Sequence, residues 1–192
     1  MLVSPNAEES NMNKIRLWLS HPSLPFIAVI LAVGLTLPSL WNGFVLDDHT
    51  HRSILLSDTP MSVRFMSALN LFCFVSEENS WRMQAGKRIG IFSWWSPDES
   101  KICFFRPLTS ITHWIDYQFW PNKPILMHLQ NLMWFGLLVF LVSFLYRSIL
   151  SVQWVGGLAA LFFAFDPAHG IPAGWLANRN VLIAGVLEHF VF

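Results

Sequence analysis

Two acids and two histidines fall within the eight residues "FVLDDHTH", where Asp47 and Asp48 are adjacent and His49 and His51 stand two apart. A carboxylate held at a water–lipid boundary is partly desolvated and can act as a general base toward a hydroxyl, while its neighbour raises its pKa or binds the acceptor. The same residues admit two other readings. Asp47 or Asp48 can cap a short helix that runs on through His51 and Arg52. Alternatively, His49 and His51 face one way on an extended strand, and a carboxylate such as Asp48 completes a three-ligand divalent-metal site. A helix would turn that pair apart.

Three further clusters carry chemistry. Arg106 in "FFRPLTS" precedes a proline, which biases it toward extended backbone before a helix through "ITHWIDYQFW". A guanidinium near a lipid surface grips phosphate through two parallel hydrogen bonds, with pairing to a loop acid such as Asp116 as the alternative. His128 and Asn131 are three apart and share a face of an apolar helix, with Gln130 offset from it. Polar groups in such a helix look inward, either toward a water-filled cavity or toward a neighbouring helix that they hold. His169, Trp175 and Arg179 lie in "FDPAHGIPAGWLANRN", whose two prolines and two glycines break the helix and leave irregular backbone that water or protein must satisfy. An ordinary helix–helix turn with an interfacial Trp accounts for the same stretch.

The elements that position these residues follow from composition. The chain is 54% hydrophobic and 12% charged, where soluble domains carry about 25% charged residues, so the expected solvent is lipid. Twelve basic and twelve acidic residues balance, which gives no reason to expect a nucleic-acid partner. Residues 1–22 read as a cytoplasmic tail with Lys14 and Arg16 before the first apolar run. Residues 23–41 carry no charge and approach the ~20 residues of a membrane span; the rival is a signal peptide, whose apolar core is usually only roughly 7–15 residues. Residues 42–123 form a folded outer loop in which eight basic residues balance eight acidic ones. Within it, residues 61–75 read as an interfacial helix, and "SWWSPDESK" combines turn chemistry with two aromatic anchors, Trp94 and Trp95. Cys73 and Cys103 lie in the same loop, which leaves open a disulfide or two buried thiols.

Residues 124–192 hold the remaining apolar runs. A second span covers 124–146 and ends at Arg147; a third, short and rich in Gly and Ala, covers 152–165; a fourth begins at 181 and carries Glu188 and His189. The chain stops inside this fourth run, so further helices are expected beyond it. The fold expected is an all-α integral membrane protein with about four spans. Lys14, Arg16 and Arg147 flank the spans on the cytoplasmic side, and a loop longer than about 60 residues escapes the positive-inside bias. Asp47, Asp48, Arg106 and the 166–180 motif then all fall on the outer face.

In order, "GFVLDDH", "FFRPLTSITHWIDYQFW", "MHLQNLMWFGLLVFL" and "LAALFFAFDPAHGIPAGWLANRNVLIAGVL" resemble the amino-terminal part of GT-C type membrane glycosyltransferases. The nearest likeness is to the branch with transmembrane and tetratricopeptide-repeat regions, related to protein O-mannosyltransferases. The resemblance implies transfer of a sugar, mannose in this branch, from a polyprenyl-phosphate donor to a protein hydroxyl on the non-cytoplasmic face. It implies Asp47 as the base, Asp48 as its acidic companion, and Arg106, His128, Asn131, His169, Trp175 and Arg179 on the donor and its phosphate. No cofactor is required, although a divalent metal stays open through His49 and His51. The partners implied are the lipid-linked donor, a protein acceptor and membrane lipids, in the endoplasmic reticulum membrane of a eukaryote or the inner or plasma membrane of a bacterium. Asp166-Pro167 departs from the His-Pro usual in the family's second motif, and the resemblance leads us to expect the rest of the donor-cavity wall from later helices beyond this chain. Two other classes fit the residues without the resemblance: a non-catalytic membrane scaffold, and a metal-dependent membrane hydrolase or transporter fragment.

Overall fold

Helix dominates the computed structural model, which describes residues 5–58 and 60–189. In chain order the helices are α1 (Pro5–Leu19), α2 (Leu24–Thr36), α3 (Asp47–Leu55), α4 (Met61–Leu69), α5 (Trp81–Arg88), α6 (Pro107–Phe119), α7 (Pro124–Ile149), α8 (Gln153–Ala164), α9 (Gly170–Gly174) and α10 (Arg179–Glu188). Two short strands, β1 (Cys73–Val75) and β2 (Ile102–Cys103), pair antiparallel. The chain divides into a first unit, Met1–Val45 with Lys123–Phe192, and a second, Leu46–Asn122.

In the first unit, α2 continues through a 3₁₀ turn to give an 18-residue helical run, Leu24–Trp41, and α7 has 26 residues; both are long and apolar enough to cross a membrane. Prolines at the starts of α2 and α7 suit a first turn whose N–H groups have no helical partner. Among the described residues no other helix reaches that length. α8 has 12 residues and α10 has 10, and at about 1.5 Å per residue each covers roughly half the hydrocarbon thickness. α8 ends where Asp166-Pro167 interrupts the helical ladder. The 166–180 stretch, expected to be irregular, is a succession of single turns: 3₁₀ at Pro167–His169, α9, and 3₁₀ at Leu176–Asn178.

Within the polar stretch 1–22, residues Pro5–Leu19 form the helix α1. Arg147, at the end of α7, holds its C-terminus by donating to the carbonyls of Ser20 at 2.9 Å and His21 at 3.0 Å, which places a cation on the orphan carbonyls of a helix end. Arg16 lies over the Trp154 ring at 5.3 Å. α8 meets α1 through Gly157, where a Cβ would fall 2.1 Å from the Leu19 carbonyl oxygen, so only glycine permits this approach. The core of the unit gathers Ala28 and Ala32 of α2, Phe135, Val139 and Val142 of α7, and Leu182 and Val186 of α10.

In the second unit the single helix expected over 61–75 is shorter: α4 stops at Leu69, and Cys73–Val75 is a strand. The non-local pairing Cys73↔Cys103 takes those residues, and a disulfide joins the same two cysteines. α3 buries Asp48, His51 and Leu55, at i, i+3 and i+7. α6 buries Thr109, Ser110, Thr112, His113, Asp116 and Tyr117. Phe65 of α4 meets Trp114 of α6 edge-on at 5.5 Å.

Candidate functional site

Asp47 and Asp48 occupy the first turn of α3, where the unsatisfied N–H groups and the helix dipole favour negative charge. Neither acid is the cap residue. That position belongs to Leu46, whose φ of 49° and ψ of −115° suit glycine better than leucine. Helical spacing sends the two carboxylates different ways. Asp47 is half-buried and lines a cleft of about 500 Å³ with Thr50, Phe74, Trp81, Arg82 and Ile91, which is mostly apolar. Asp48 is only 1% exposed, and the Tyr117 hydroxyl donates to its backbone carbonyl at 3.4 Å.

The histidines diverge in the same manner. His49 is exposed, whereas His51 is 1% exposed and packs against the rings of Phe72 at 5.0 Å and His113 at 5.3 Å. The metal reading needs an extended strand here, and the segment is helical; among the described residues no group of three His, Cys, Asp or Glu side chains is arranged to hold a metal ion. Both ring nitrogens of His51 are buried without a hydrogen-bond partner among the described residues. Burial, and then the charge of Arg106, pull its pKa down from 6.5 to about 4.

Arg106 is the residue before α6, as the proline rule predicts. Its guanidinium carbon lies 4.9 Å from the centre of the Phe72 ring and 4.7 Å from that of Phe104. The aromatic faces hold a delocalised cation by its planes, which leaves the N–H edges for a planar or tetrahedral anion. Among the described residues the guanidinium forms no ion pair, so the alternative of pairing with Asp116 is not realised; Asp116 is fully buried and accepts from Trp120 Nε1 at 3.1 Å. Partial burial lowers the Arg106 pKa.

The remaining expected residues belong to the first unit, and three of them are fully buried. His128, Asn131 and Arg179 are each 0% exposed. Arg179 donates from Nε to Asn131 Oδ1 at 2.5 Å, from Nη1 to Gln130 Oε1, and from Nη2 to the Met127 carbonyl at 3.1 Å. Asn131 Nδ2 faces the carbonyls of Pro172, Ala173 and Trp175 at 3.4, 3.5 and 3.4 Å. One asparagine therefore ties α7 both to the broken motif and to the start of α10. His128 Nε2 meets the Gly43 carbonyl at 2.8 Å, and Asn42 Nδ2 donates to the Gly174 carbonyl at 3.0 Å. Asn42 and Gln130 were not expected in this role. Gln130 sits off the His128–Asn131 face, and the long Arg179 side chain reaches it.

His169 lies against Phe163 at 4.5 Å and Phe135 at 5.2 Å. Its Nε2 and the Nε1 of Trp175 are buried without a hydrogen-bond partner among the described residues. Asp166, standing where His-Pro was expected, caps its own turn, with its Oδ1 accepting from Ala168 N–H at 2.9 Å. In comparisons with known proteins, no family model, no curated protein and no solved structure matches this chain.

Proposed function

We propose that the chain is part of an integral membrane glycosyltransferase that moves a sugar, mannose by resemblance, from a polyprenyl phosphate to a hydroxyl of a protein. The observation that carries this reading is the chemistry held within the second unit: a half-buried Asp47 lining a mostly apolar cleft, and an Arg106 whose faces are taken by Phe72 and Phe104 and whose N–H groups form no ion pair among the described residues. α2 with its 3₁₀ continuation, and α7, support the membrane setting through length and composition. The reading extends to α8 and α10 as parts of two further crossings. Asp47 takes the proton of the acceptor hydroxyl, and that oxygen attacks the anomeric carbon. The bond from that carbon to the phosphate oxygen breaks with inversion, and polyprenyl phosphate departs with the electron pair. Arg106 stabilises the charge that grows on this leaving group. Asp48 acts through packing, since its burial against α6 aims the first turn of α3. The phosphate role rests on Arg106 and not on Arg179, whose N–H groups are engaged with Asn131, Gln130 and Met127.

A second reading is a non-catalytic membrane scaffold. The burial of Asp48, His51, His113 and Asp116 between α3 and α6 favours it, because polar packing of this kind needs no substrate. One substitution separates the two. Asp47→Asn in the full protein, assayed for mannose transfer from a polyprenyl-phosphate donor to a Ser/Thr peptide, is expected to lose about 10²–10⁴-fold in rate. Undiminished transfer by a variant that keeps its disulfide would remove Asp47 as the base.

A further inference from the structure

Between α5 and β2 the chain displays apolar side chains outward. Ile89, Ile91, Trp94 and Trp95 are 72%, 68%, 82% and 69% exposed, so four large apolar groups fall within seven residues of a turn. The display is built rather than collapsed. The N–H groups of Ile91 and Phe92 both donate to the Gly86 carbonyl, at 2.9 and 3.3 Å. The Phe92 ring lies on Gly86, where a Cβ would fall 2.3 Å from it. Lys87 Nζ meets Asp98 Oδ1 at 2.5 Å and closes the base of the loop. Trp94 and Trp95 stand edge to face, 5.4 Å apart. With Phe92 folded under the loop, its neighbours are held out in water at a cost of about 25 cal/mol per Å² of apolar surface, which an apolar partner would recover.

The chain itself indicates the partner. The second unit, Leu46–Asn122, starts five residues after the helical run Leu24–Trp41 and ends two before α7, so both ends of the unit are tied close to lipid if those helices span. Indole has an apolar body and one polar N–H, and it settles at headgroup depth. Exposed Arg88 and Arg82, the latter 5.7 Å from the Trp81 ring, add cations suited to lipid phosphates. We infer that the 89–95 loop is an interfacial anchor that inserts its aromatic tip at the headgroup level of the bilayer crossed by α2 and α7. This rests on the membrane-spanning part of the proposed function and not on the transfer chemistry.

Site-directed spin labelling of the full chain in phosphatidylcholine/phosphatidylglycerol nanodiscs tests it. The two cysteines of the chain are joined to each other, so each introduced cysteine supplies a single reactive thiol. Ile91→Cys and Trp95→Cys report the loop, Glu99→Cys an exposed position outside the tip, and Met133→Cys the 68% exposed face of α7. Labels at 91 and 95 are expected to collide severalfold less with a water-soluble nickel chelate than the label at 99, and more with oxygen. Collision at 91 and 95 equal to that at 99, with 133 shielded, overturns the anchor and leaves the spans standing. Chelate access at 133 as well overturns the spans and the anchor together. Shielding of 91 and 95 from both reagents signals a protein partner and also overturns it.

Discussion

His51 has nowhere to put a proton. Both of its nitrogens are buried without a partner among the described residues, and the rings of Phe72 and His113 pack against it, with Arg106 close enough to act by charge. Its pKa is about 4 in the folded unit against 6.5 in the open chain. The unfolded state therefore binds the proton first as pH falls. The stability that neutral His51 contributes is whole above pH 6.5 and drains away between 6.5 and 4, by roughly 3 kcal/mol at the lower end. Hydrogen exchange of the α3 and α6 amides, followed from pH 7 to 4.5, should show this loss in the native chain and a flatter profile in His51→Phe, which keeps a ring against Phe72. Equal slopes in the two proteins would assign the acid sensitivity to the carboxylates instead. Little of this was legible beforehand. In sequence His51 reads as part of a capped helix or as a ligand, because burial of a polar group depends on what a distant helix presents to it.

At the scale of elements, Gly157 sets how closely α8 approaches α1. Gly157→Val drives a side chain into the Leu19 carbonyl, and forced overpacking costs about 1–3 kcal/mol. Lowered thermal stability with faster exchange in α1 is the expected result, and unchanged exchange in α1 would mean that the two helices do not depend on this contact. The local elements could be read from residue patterns. α2 and α7 follow from apolar length and leading prolines, and His128 and Asn131 share a face because three residues is close to one helical turn. Several features that residue patterns do not show are non-local. α1 draws support from Arg147, well over a hundred residues away, and β1 exists because Cys103 pairs with Cys73. The reach of Arg179 to Gln130 likewise depends on the turns at 166–178 that bring α10 back to α7.

The whole molecule joins a unit of long apolar helices to one that carries its own covalent brace. The Cys73–Cys103 bridge closes a segment with a sequence separation of 30, and loop-closure entropy for that length amounts to about 3–4 kcal/mol. Cys103 is exposed, so a reductant can reach it. Reduction should raise proteolysis and amide exchange within Leu46–Asn122 and leave α2 and α7 protected; equal loosening of both units would show that they fold as one.

The first unit is assembled from two stretches of chain that the second unit separates. Ribosomes deliver residues in order at about 5–20 per second, so some seconds must pass between the emergence of α2 and that of α7. During that interval Ala28 and Ala32, later sealed in the core, have no partner from this chain, while the residues that form the disulfide are already synthesised. Chain order therefore sets a sequence of events: the braced unit is complete before Pro124 is made, and the packing of Ala28 and Ala32 against α7 can only follow it.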